Sequence, residues 1–136
     1  MINLEDCKMT LVADLLKREV VTCKADCPVE ELMLLMRQHA ISGLPVVDDA
    51  GELIGIVSAS DIMHKQAGIK AGDLMTTRCF HVSSHTTVRQ AANLMASERI
   101  HRLIVTSGHR KVVGVLSSLD LVEFLSQLPI QTMSTL

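Results

Sequence analysis

The apolar and polar positions along the chain fall into short runs of two kinds. Val29, Leu32, Met33 and Met36 recur at i, i+3, i+4 and i+7, the stripe of an amphipathic helix. Val88, Ala91, Ala92 and Met95 repeat it later in the chain. Short runs rich in β-branched residues flank both stripes and predict strands. They are Val20-Val-Thr-Cys, Val46-Val47 and Leu53-Ile-Gly-Ile-Val, then Cys79-Phe-His-Val, Ile100-His-Arg-Leu-Ile-Val and Val112-Val-Gly-Val-Leu. Turn signals at Asp48-Asp-Ala-Gly-Glu and Thr106-Ser-Gly-His-Arg separate the later strands of each set. Helical patterns then run from Ala59 to about Gln66 and from Ser118 to about Gln127. Asp26-Cys-Pro-Val-Glu-Glu predicts a helix capped by Asp26 or Cys27, with proline at the first helical position, and Thr86 or Thr87 caps its counterpart.

These runs are two copies of one pattern. Asp14 falls on Asp73, an offset of 73 − 14 = 59, and this offset continues without a gap. Leu35 then falls on Leu94, Ile41 on Ile100, Val46 on Val105, Gly55 on Gly114, Ser58 on Ser117 and Asp61 on Asp120. Each copy reads strand, helix, strand, strand, helix, preceded by a short helical turn at Val12-Ala-Asp-Leu-Leu-Lys or Ala71-Gly-Asp-Leu-Met-Thr. The expected fold class is α/β (α+β), with two tandem βαββα repeats about a pseudo-twofold axis. A unit of roughly 60 residues buries too little surface to be comfortable alone. Two copies packed face to face are therefore expected to share one core. The expected boundaries are a loose lead-in at 1–11, repeat one at 12–66, a glycine-punctuated joint at 67–70, repeat two at 71–128 and a frayed tail at 129–136. Leu34 and Leu35 lie off the main stripe, which predicts contact with the other repeat or with a second subunit, a homodimer.

Composition narrows the function. The chain has 136 residues, 48% of them hydrophobic, which argues for a folded domain. Phe80 and Phe124 are the only aromatics and the formal net charge is −2, so neither base stacking nor a basic face favours nucleic acid. Lys17, Arg18, Lys65 and Lys70 are thin support for such a face. No apolar run is long enough to span a membrane. Met1-Ile-Asn-Leu-Glu-Asp lacks the basic region and apolar core of a secretion signal, which points to the cytoplasm. Cys7, Cys23, Cys27 and Cys79 have no paired metal-ligand spacing and read as small buried hydrophobes. His39, His64, His81, His85, His101 and His109 are scattered, and Cys79 with His81 has no orienting acid, so no enzyme activity and no catalytic or metal residue is expected.

The two copies of one motif carry the chemistry. Gly55-Ile-Val-Ser-Ala-Ser-Asp61 and Gly114-Val-Leu-Ser-Ser-Leu-Asp120 each end a strand on a hydroxyl, with an acid three positions later at a helix start. Ser58 with Asp61, and Ser117 with Asp120, can cap those helices. A carboxylate at a strand-to-helix turn can equally accept two hydrogen bonds from a ribose diol. Residue types alone leave both roles open.

With Ser42-Gly-Leu-Pro-Val-Val-Asp and the two Gly-to-Asp segments in this order, and the Asp-Leu-Leu and Asp-Leu-Met lead-ins before them, the chain from about Val12 to Leu128 resembles a tandem pair of CBS domains, a Bateman module. The resemblance implies clefts between the repeats that hold AMP, ADP, ATP or S-adenosylmethionine. It implies ribose contacts at Ser58, Asp61, Ser117 and Asp120, and adenine or phosphate contacts at the bends Ser42-Gly43 and His101-Arg102. A His-Arg pair at that bend is similar to one in the regulatory subunit of AMP-activated protein kinase that reaches phosphates. The expected role is a stand-alone sensor that signals through dimer packing or an effector protein. The alternative is an interaction module with no small ligand, in which the serines and aspartates only cap helices.

Overall fold

The structure, a computed structural model, describes residues 6–16, 19–63 and 69–128. The expected tail at 129–136, residues 64–66 of the helix predicted from Ala59 to about Gln66 (with His64 and Lys65), Lys17, Arg18 and the first part of the joint lie outside the described residues. Among those described, helix α1 (Asp6–Met9) and a 3-10 turn (Val12–Leu15) lead into strand β1 (Cys23–Lys24) and helix α2 (Val29–His39). Strands β2 (Gly43–Val47) and β3 (Leu53–Ser58) and helix α3 (Ala59–Met63) complete the first set. Helix α4 (Ala71–Leu74), strand β4 (His81–Ser83), helix α5 (Val88–Glu98), strands β5 (Arg102–Thr106) and β6 (Val112–Ser117) and helix α6 (Ser118–Ser126) repeat it. Two three-stranded sheets result, ordered β1-β2-β3 and β4-β5-β6, each with one parallel and one antiparallel pair. The mixed α+β architecture and the order of elements agree with the reading of the sequence.

Several local expectations shift. The predicted strand at Val20-Val-Thr-Cys begins only at Cys23, and that at Cys79-Phe-His-Val only at His81. A parallel strand exists only where its partner runs beside it, and β2 and β5 meet their neighbours at Cys23↔Val46 and His81↔Ile104. Residues 1–11 are not wholly loose, since Asp6–Met9 makes one helical turn. Helix α2 starts one residue later than expected, with Pro28 at its N-cap and no side-chain cap from Asp26 or Cys27. The chain itself satisfies its first N–H groups, because Val29 N–H donates to the Ile69 carbonyl at 2.9 Å. Met33 faces outward at 46% exposure, so the buried stripe of α2 is Val29, Leu32 and Met36, with a half-buried Leu35 packed against the same core. In α5 the stripe and the Thr87 cap, a full capping box with Gln90, are as expected.

The expected single shared core is instead two. One cluster joins Cys23, Val29, Leu32, Leu44, Val46 and Val57 to Ala71 and Leu74. The other joins Val88, Ala91, Leu103, Val105, Leu116 and Phe124 to Val12 and Leu15. Each lead-in turn is thus buried in the body of the other repeat. Backbone bonds follow the same crossing: Ala71 N–H donates to the Cys27 carbonyl and Val12 N–H to the Thr86 carbonyl, both at 2.8 Å. Two residues past α4 the crossing continues, with Thr76 and Ile56 exchanging both backbone hydrogen bonds at the edge of β3.

This crossing explains the glycine that opens each motif. A Cβ built on Gly55 would meet Met75 Sδ at 2.7 Å and the Thr76 carbonyl oxygen at 3.0 Å. One on Gly114 would meet Leu16 Cδ1 at 2.7 Å, and Leu16 and Met75 are copies of one position. Both glycines make room for the incoming lead-in.

Cys23 and Cys27 are buried in the first cluster, as expected of small hydrophobes. Burial, with Cys27 close by, pushes the Cys23 thiol up to about 12. Burial and the nearby Glu31 push Cys27 up to about 11. Both thiols stay neutral and unreactive at ordinary pH.

Gly55→Ala should destabilise the protein by about 1–3 kcal/mol through overpacking, measured by denaturant unfolding. Leu15→Ala should cost about 2–5 kcal/mol. In hydrogen exchange it should loosen the amides of β5 and β6 before those of β2 and β3, because Leu15 fills the second cluster. For the thiols, a folded pKa above the unfolded one means stability that is whole below about pH 9 and lost as pH rises toward about 12. Cys23→Ala should flatten the fall in unfolding midpoint between those limits.

Candidate functional site

The candidate residues gather where strands β2 and β5 begin and β3 and β6 end. Gly43 is the Cα partner of Ser58 in the β2–β3 ladder, and Arg102 is that of Ser117 in the β5–β6 ladder. Ala59 N–H donates to the Ser42 carbonyl, and Ser118 N–H to the His101 carbonyl, both at 2.8 Å. Each bend is therefore pinned through the backbone to the strand end that carries the serine–aspartate pair of its own repeat.

At each motif the serine and aspartate bind one another. Ser58 donates its N–H and its hydroxyl to Asp61 Oδ2, both at 2.8 Å, and Asp61 N–H returns to Ser58 Oγ at 3.3 Å. Ser117 N–H donates to Asp120 Oδ2 at 2.8 Å and Asp120 N–H returns to Ser117 Oγ at 3.1 Å. Both are reciprocal caps, so the capping role is present at both motifs. The same geometry spares Oδ1 of each carboxylate, which makes no hydrogen bond among the described residues. Asp61 and Asp120 are half-buried, with one oxygen holding the helix and the other left over.

The two bends also meet each other. Arg102 Nη2 donates to Ser42 Oγ at 2.5 Å, sixty positions away in sequence, and so links the halves across the pseudo-twofold axis. Sequence spacing gave no sign of this contact, because the equivalent positions 42–43 and 101–102 share no residue. A second junction ties the hairpin tips: Val112 N–H donates to the Gly51 carbonyl and Arg110 Nη2 to the Leu53 carbonyl, both at 3.2 Å. An open depression of about 280 Å³ lies at the far end of the first sheet, lined by Lys24, Asp26, Asp48 and Asp49 among others. It involves none of the candidate residues, and the Lys24–Asp49 ion pair on its rim is exposed and worth little.

Among the described residues, no group of three or more His, Cys, Asp or Glu side chains is placed to hold a metal. None of the helices there is long and apolar enough to cross a membrane.

Known proteins resemble the chain in sequence and in fold. The inosine-5'-monophosphate dehydrogenase of Korarchaeum cryptofilum is 35% identical over 104 residues, which are 76% of this chain and 22% of that enzyme. The chain thus spans about a fifth of the length of such curated relatives. The structure of CBSX2, a protein of Arabidopsis thaliana, in complex with AMP superposes with a TM-score of 0.78 at 27% identity, covering 87% of this chain and 97% of that one. The CBS domain pair of protein MJ0100, in complex with 5′-methylthioadenosine and S-adenosyl-L-methionine, gives a TM-score of 0.78 at 26% identity, covering 86% and 96%. The family model for the CBS domain matches twice, at residues 12–68 and 71–127. Matched in tandem over most of its length, the chain belongs to the CBS-domain family, as a CBS-domain pair.

Proposed function

We propose that the protein is a regulatory module that binds an adenine nucleotide (AMP, ADP or ATP) or a related adenosyl ligand such as S-adenosylmethionine between its two repeats. The observation that carries this reading is the Oδ1 of each capped aspartate, which has no hydrogen-bond partner among the described residues. Capping fixes the carboxylate beside a backbone bend, and the spare oxygen is an acceptor for a ribose hydroxyl. Ser58, Asp61, Ser117 and Asp120 are the ribose residues in this reading. Ser42, Gly43, His101 and Arg102 meet adenine or phosphate, where the guanidinium of Arg102 suits phosphate oxygens. The AMP bound by CBSX2 and the adenosyl compounds bound by the MJ0100 pair support the ligand class.

The module works without catalysis. A ligand that contacts both repeats shifts the packing between them by its differential affinity for the two arrangements. The output passes to a second copy of the chain or to an effector protein in the cytoplasm. Exposed apolar side chains on α2 (Met33, Leu34) and α6 (Leu119, Val122, Leu125) supply surface for a homodimer; Leu35, packed inward, no longer contributes to it. A second reading, an interaction module with no small ligand, is favoured by one observation, the reciprocal caps, which account for Ser58, Asp61, Ser117 and Asp120 without any nucleotide.

Calorimetric titration with AMP, ADP, ATP, S-adenosylmethionine and a guanine nucleotide separates the two. Saturable binding of an adenine compound, weakened about tenfold or more in Asp61→Asn or Asp120→Asn, is the expected result. An asparagine still caps, so an equal loss of stability without binding at millimolar ligand would leave the interaction module standing.

A further inference from the structure

The two bends occupy copied positions, yet they are built from different residues. Arg102 stands in the second repeat where Gly43 stands in the first. Its side chain leaves its own half and donates to Ser42 Oγ. On the way it passes over Gly43, where a built Cβ would overlap Nη1 and lie 3.4 Å from Cζ. Side chains at both positions would compete for one space beside the axis, so one must be absent for the other to cross. The Ser42 end of the contact is itself fixed, because its carbonyl accepts from Ala59 N–H and its neighbour Gly43 lies in register with Ser58.

We infer that Ser42 and Gly43 are positioning residues for Arg102, and that they deliver the one permanent charge of the two bends to the first-repeat side. The inference rests on the nucleotide reading above and names its anion pocket. Ser42 takes one of the five guanidinium N–H donors, which leaves the others for phosphate oxygens. The Ser42 hydroxyl accepts from Arg102 and keeps its own hydrogen to donate to the same phosphate. The second bend keeps His101 and sends its arginine away. The two clefts are therefore unequal, and the chain takes one phosphate-bearing ligand, beside Ser58 and Asp61. A fixed cation at that place also selects against a sulfonium, so AMP, ADP or ATP is preferred to S-adenosylmethionine.

The experiment compares AMP with adenosine, identical but for the phosphate, by titration into the full chain and its variants, and reads the ratio of the two affinities. Wild type should prefer AMP and bind one per chain. Ser42→Ala should cut the ratio about three- to tenfold, the weight of one hydrogen bond, and Ser42→Thr should restore it. Gly43→Val, which evicts the guanidinium, should lower the ratio as far as Arg102→Gln does. A general loss of stability would weaken both ligands together and leave the ratio alone. A ratio unmoved by Ser42→Ala, or raised by it because the hydroxyl competes with phosphate, overturns the inference, as do two equivalent AMP molecules per chain. Wild type that binds neither compound removes the nucleotide reading and this inference with it. AMP binding that needs Asp61 or Asp120 but ignores Ser42 and Gly43 removes this inference alone.

Discussion

Everything in this structure depends on the passage of each lead-in turn into the other repeat. A three-stranded sheet with helices alongside leaves part of its apolar surface uncovered. Ala71 and Leu74 cover it in one half, Val12 and Leu15 in the other. Burial of such side chains is the main favourable term in folding, so neither half is complete on its own residues. The crossing also sets what the motif glycines are for. Gly55 and Gly114 stand under Met75 and Leu16, and their place at the head of the Gly-to-Asp segment is a packing requirement.

The crossing in turn brings the two bends close enough to interact. Because the halves are interlocked through their lead-ins, the starts of β2 and β5 are held beside the pseudo-twofold axis, and a single arginine can span them. The symmetry of the backbone is kept while that of the chemistry is broken. Gly43 and Arg102 are the visible form of that break, with the serine–aspartate caps left alike on both sides.

Much of the fold could be read from the sequence because it is local. The 59-residue offset (73 − 14), the αβ order, the Thr87 cap and the serine–aspartate spacing all report on neighbours along the chain. What escaped was non-local. A duplicated sequence looks the same whether Leu15 packs on its own repeat or on the other, since every candidate partner in one copy has its equivalent in the second. The start of β1 was misplaced because parallel pairing is decided by β2, more than twenty residues away. Met33 and Leu35 exchanged roles because both fit a helical face, and only the position of the sheet distinguishes them. At the candidate site the pairs Ser58–Asp61 and Ser117–Asp120 were legible as caps, whereas the reach of Arg102 to Ser42 depends on a side-chain path that no spacing encodes.

The interlocking also orders events when the chain is made from its N-terminus. All the elements of the first half, from β1 to Thr76, are contiguous, so its contacts can close once that stretch has emerged. The second half has no such freedom. Val12 and Leu15 precede β1 in the chain, yet they belong with Leu121 and Phe124, 121 − 15 = 106 or more positions later. Until Leu121 and Phe124 have been made, the Val12–Leu15 turn lacks part of its partner core and its apolar side chains stay open to other proteins. Closing a loop of that length is an entropic cost met only once α6 has been made. The vulnerable interval therefore opens when the Val12–Leu15 turn is made and closes when α6 is complete.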